Sequence, residues 1–150
     1  MKNRHQAEVN AFPLVAAFSD KQFAEAMAEL GLAPEDTDKI YGIPGTGAFF
    51  RREDAPRFHE MFERHERERQ EAIDADTKGD GFIYEMFLYE LANHEYTYTN
   101  DFESTFEALD LTPEDFKKNP ALDKGLVNAA KTLRKWDEER DRKLRKEAIA

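Results

Sequence analysis

The chain has 150 residues, 32 Asp and Glu against 22 Lys and Arg, a net charge of −10, and no cysteine. That length fits one domain with a substantial core, and 40% hydrophobic residues with 12 Phe argue for a packed interior and against disorder. The absence of cysteine excludes disulfides and thiolate metal sites, and no apolar run approaches the roughly 20 residues needed to span a bilayer.

The charge is split along the chain. Residues 1–116 carry 26 acids and 11 bases, a net of −15, and residues 117–150 carry 6 and 11, a net of +5. A one-signed surface steers encounters and repels like-charged molecules. The reading is a cytoplasmic protein that touches no membrane. Its acidic body argues against direct binding of nucleic acid.

Residues 1–10 read as a loose N-terminal arm, and Asn10 to Phe18 as a short strand or a buried helical turn. Ser19 to Gln22 has the form of a capping box, followed by Phe23, Met27 and Leu30 at helical spacing and Gly31 as a C-terminal cap. Pro34-Glu35-Asp36 opens a short turn. The glycine-rich stretch Tyr41 to Gly47 is flanked by 39–43 and 48–51, which read as a small β-hairpin. Residues 53–75 read as a long helix with Phe58, Phe62, His65 and Arg69 on one face. Residues 76–81 form a loop.

Phe82 to Ala92 is apolar nearly all round and reads as the central helix. Residues 96–100 form a connector. Phe102, Phe106 and Leu109 mark another helix, and Thr112-Pro113 and Asn119-Pro120 each open one more. Leu122, Leu126, Ala129, Leu133 and Trp136 form the seam of the last, and 137–150 continue as a charged helical extension. The expected fold is mainly α, α+β at most: a single compact helical domain over 1–150, with a possible small β-hairpin and a long charged C-terminal helix.

Few motifs carry chemistry. Asp74 to Glu85 imitates a calcium loop, but counting from Asp74 puts Lys78 at a ligand position and counting from Asp76 ends on Phe87. The bland alternative is an acidic turn, with weak calcium binding left open. His59 and His65 are six apart and share no helix face. Glu90 and His94 are four apart and can meet. Glu85 and Glu90 sit on the most apolar helix and, with His94, would be the acid–base set of an enzyme. The plainer reading is a narrow solvent edge. Gly42, Gly45 and Gly47 lack the pattern of a phosphate loop. No cofactor and no metal site is expected.

The stretch from Gly81 to Leu91, then Asn93-His94-Glu95-Tyr96 and Asn119-Pro120-Ala121-Leu122, resembles small uncharacterised acidic proteins carried on phages and conjugative elements of gut bacteria. The similarity runs from about Phe12 to Leu133. It implies a setting rather than a site: accessory proteins of mobile elements act on host defence or regulation. The leading expectation is therefore an inhibitor of a host nucleic-acid-handling protein, anti-restriction or anti-CRISPR-like, in which carboxylates imitate DNA phosphates on a basic partner surface. Its surface would be Glu60, Glu63, Glu66, Glu68, Glu71, Asp74 and Asp76, with Arg64, Arg67 and Arg69 weakening the imitation. Plain solubilising charge is the alternative. A second expectation is a structural or regulatory interaction protein, or a homodimer, using Leu126, Leu133 and Trp136.

Overall fold

The computed structural model describes residues 1–150 as eight α-helices and one small antiparallel sheet. The fold is mainly α, as the periodicities require, and it ends in a long C-terminal helix. The chain forms two compact units, Met1–Arg69 and Gln70–Ala150, and helix α3 (Ala55–Ala75) enters both.

The first unit begins with α1, Lys2–Ala11. The expected loose arm is thus corrected to a helix. It has no side-chain cap and no buried residue, which is why neither capping nor apolar periodicity announced it. Strand β1, Val15–Ala16, follows. Helix α2, Asp20–Glu29, starts at Ser19, whose Oγ accepts from the Gln22 amide at 3.3 Å. The Gln22 side chain reaches one residue further back than a capping box requires, accepting from the Phe18 amide at 2.9 Å. Gly31, at φ +71°, ends the helix, and the Leu32 amide returns to the Met27 carbonyl at 2.9 Å. That left-handed residue and long return bond form a Schellman motif.

Strands β2, Ile40–Gly42, and β3, Ala48–Arg51, form the expected hairpin, and β1 adds to its far side to give the order β1-β3-β2. Successive side chains on a strand point to opposite faces, so Phe49 and Phe50 enter different clusters. Phe49 joins Ala26, Met27 and Leu30. Phe50 joins Phe12 and Met61.

The second unit is built around α4 (Phe82–Asn93) and α8 (Pro120–Ile149), which pack along their lengths. Ile83, Phe87 and Leu91 of α4 meet Leu122, Leu126, Ala129 and Leu133 of α8 in one core. Gly125 lets the helices close: a Cβ there would collide with Ile83 Cγ2 and lie 3.0 Å from the Gly79 carbonyl oxygen. Three short helices cover the core, α5 (Tyr96–Thr99), α6 (Glu103–Ala108) and α7 (Pro113–Lys118). Residues 96–100, expected as a connector, make the single turn α5 between Glu95 and Asn100, both left-handed at φ 55° and 53°. Tyr96 stacks on Phe102 at 4.8 Å, and its hydroxyl accepts from Arg134 at 2.7 Å. Beyond Leu133, α8 buries nothing further, so 137–150 form the exposed helical extension.

Candidate functional site

The acidic positions on α3 do not behave as one set. Glu60, Glu63 and Glu71 are exposed and make no ion pair. Glu66 is held by Arg69 at 2.6 Å, and Asp74 accepts from Gln70 at 2.9 Å. Asp76 is spent on backbone: its carboxylate accepts the amides of Gly79, Gly81 and Ile83 at 3.0, 3.1 and 2.9 Å. Burial pushes this carboxyl up, but those amides and that of Asp80 outweigh it and hold it below the usual aspartate range. In the stretch that imitates a calcium loop, Asp76 therefore closes the turn into α4.

Glu68 belongs to a cluster the sequence reading missed. Its carboxylate pairs with His5 Nε2 at 2.7 Å and with Arg4. Across from it, Glu8 pairs with His65 Nε2 at 2.7 Å and with Arg64 at 2.6 Å. The two imidazoles stack with centroids 3.9 Å apart and planes 12° apart. Hydrogen bonds from Arg64 and His65 hold Glu8 at about 2, and those from Arg4 and His5 do the same for Glu68, far below an ordinary glutamate. Each bridge joins residues some sixty positions apart, so spacing within one helix could not reveal it. One signal was present: Arg4-His5-Gln6-Ala7-Glu8 and Arg64-His65-Glu66-Arg67-Glu68 are both Arg-His-x-x-Glu.

The partner-facing seam of α8 is corrected in two of its three residues. Leu126 and Leu133 are buried in the core against α4, because the seam that fills that core is the only apolar stripe α8 has. Trp136 is 53% exposed, beside Tyr98 at 71%, over a cavity of about 320 Å³. Of the acid–base candidates, Glu90 and His94 meet at 3.5 Å on α4. Glu85 is exposed and joins neither of them. No group of three or more His, Asp or Glu side chains is gathered as a metal-ligand set.

A different acidic surface stands out. Asp101, Glu103, Glu107 and Asp110 rim a shallow cavity of about 630 Å³ floored by Phe102 and Phe106. All four acids are exposed, none is in an ion pair, and no basic residue lines the cavity. Helix α6 places them: Thr105 and Leu109 turn into the core, so the opposite face carries the carboxylates. Asp101 also accepts the Glu103 amide at 2.9 Å, which fixes the start of the helix.

A family model described as a family of unknown function, DUF7659, matches residues 1–132. No curated protein and no solved structure matches the chain.

Proposed function

We propose from its surface chemistry that the chain, a member of DUF7659, a family of unknown function, is a binding protein; its setting on a mobile element is what the resemblance of residues 81–96 implies. In this reading it occupies the basic, nucleic-acid-binding surface of a host protein and so inhibits it. The observation that carries the reading is the unneutralised rim of Asp101, Glu103, Glu107 and Asp110 around Phe102 and Phe106. Paired carboxylates lose most of their field to their own partners, whereas unpaired ones remain available to arginine and lysine of another protein. The partly exposed Phe102 and Phe106 beside them add apolar contact for the aliphatic stems of the same cations. The α3 positions contribute less, since of seven only Glu60, Glu63 and Glu71 lack a local partner.

The test has two arms. Capture from a host lysate, eluted with rising salt, should yield a nucleic-acid-binding protein, because exposed ionic contacts weaken as salt screens them. Duplex DNA should then displace the chain from that partner. Reversing Glu103, Glu107 and Asp110 to lysine should weaken binding by about tenfold or more, since each exposed pair is worth roughly 0.2–1 kcal/mol and reversal adds repulsion. Binding that survives both DNA competition and reversal would refute the proposal.

A second reading rests on Trp136 and Tyr98, large exposed aromatics of the kind that anchor protein interfaces. Trp136→Ala, which removes no core residue, should abolish a salt-resistant partner contact there.

A further inference from the structure

Arg-His-x-x-Glu occurs at 4–8 on α1 and at 64–68 on α3, and within the first unit the two copies bind each other. The contacts are reciprocal. His5 bonds Glu68 as His65 bonds Glu8, each at 2.7 Å. Arg4 bonds Glu68 as Arg64 bonds Glu8. The two rings stack nearly parallel at 3.9 Å. Each five-residue segment is therefore paired with a copy of its own chemistry, and its recognition surface is self-complementary. Self-complementarity is what a two-fold interface between identical chains requires.

We propose that α1 masks a homodimer surface on α3, whose occupant is a second copy of this chain. When α1 lifts away, α3 of one copy pairs with α3 of another through the same contacts. Arg64 and His65 then take the partner's Glu68, and the two His65 rings stack. Two further observations support this. No residue of α1 is buried, and the helix docks through its half-buried Val9, the adjoining Phe12 and the charged cluster. Moreover, the exposed Phe62 lies beside the cluster, its ring 6.0 Å from that of His65, and gives a second copy apolar area to bury. The isolated chain favours α1 because an attached segment acts at a high effective concentration.

The test uses the full chain. Arg4→Ala/His5→Ala/Glu8→Ala erases the α1 copy and leaves the α3 copy intact. Amide protection over residues 2–11 should be lost, and the molar mass by light scattering should double from 17.4 kDa. Adding Glu68→Arg sets like charges against each other across the two-fold axis and should return the monomer. The pair Arg4→Glu/Glu8→Arg should release α1 by repulsion and also give a dimer. Adding Arg64→Glu/Glu68→Arg to that pair should restore docking, protection and the monomer, which guards against a folding defect. A monomer despite lost protection, protection unchanged in both α1 variants, or a dimer that survives Glu68→Arg would each overturn the proposal.

Discussion

Gly125→Ala sets two opposing effects against each other at the α4–α8 crossing. Alanine is favoured over glycine inside a helix by about 1 kcal/mol, so on propensity alone the variant gains stability. The added methyl, however, collides with Ile83 Cγ2 and lies 3.0 Å from the Gly79 carbonyl oxygen and 3.3 Å from the Ile83 carbonyl carbon. Ile83 is fully buried and β-branched, so its Cγ2 cannot swing aside without leaving its rotamer. Two of the three obstructing atoms are backbone, so the helices themselves must part. Overpacking of this kind costs about 1–3 kcal/mol, and backbone obstruction places it at the upper end. The net expectation is a loss of about 2 kcal/mol. With a urea m-value of about 1–2 kcal/mol/M for a small unit, the midpoint should fall by about 1–2 M. Trp136 is the only tryptophan and lies on α8, so its fluorescence reports the second unit. Asn128→Ala, at an exposed position of the same helix, is the control in which propensity acts alone, and it should gain about 0.5 kcal/mol. A Gly125→Ala midpoint equal to or above the parent, at unchanged m, would refute the close crossing.

The remaining predictions concern carboxylates. Glu8 and Glu68 titrate near 2 in the folded chain against an ordinary 4.5. With folded values depressed, the unfolded chain binds more protons, so their contribution is complete above about pH 4.5 and is lost as the pH falls toward 2. Amide protection of residues 2–11 should follow that fall, and Glu8→Gln should flatten it; protection constant from pH 5 to 2 would contradict the cluster's role. Asp76→Ala removes the acceptor of three amides at the entry to α4 and should cost about 1–2 kcal/mol, as loss of an N-terminal cap does. Unchanged urea stability would show that water replaces the carboxylate.

The elements visible in the sequence are those whose causes are local. Ser19 and Gly31 bracket α2, Pro113 and Pro120 sit at the first turns of α7 and α8, and Phe82 to Leu91 is apolar nearly all round. Those signals act within a few residues, so they read correctly without tertiary knowledge. Helix α5 failed for the opposite reason. Tyr96-Thr97-Tyr98-Thr99 has no helical preference, and it turns because Tyr96 is buried against Phe102 and bonded by Arg134, 38 positions away. Helix α1 and its cluster failed likewise, since the bridges that dock it run to Arg64, His65 and Glu68 on α3. The acidic candidates were legible as acids but not as free acids: whether Glu68 or Glu107 is neutralised depends on which bases arrive from elsewhere.

That distinction changes what the split charge means. The −15 of residues 1–116 counts every acid alike, yet on α3 Glu66 and Glu68 meet arginine. The basic segment is discounted in the same way: Arg140 pairs with Asp137, Lys135 with Glu139 at 3.9 Å, and Lys143 with Glu147 at 3.8 Å. What a partner meets is the remainder, and in the second unit it includes the α6 rim, whose four unpaired acids share a cavity that no base lines. Steering depends on the local unpaired field rather than on the total. The salt dependence of partner binding should therefore track substitutions at Glu103, Glu107 and Asp110. Glu66→Gln/Arg69→Gln, which deletes a pair that is already neutral, should leave that dependence nearly unchanged.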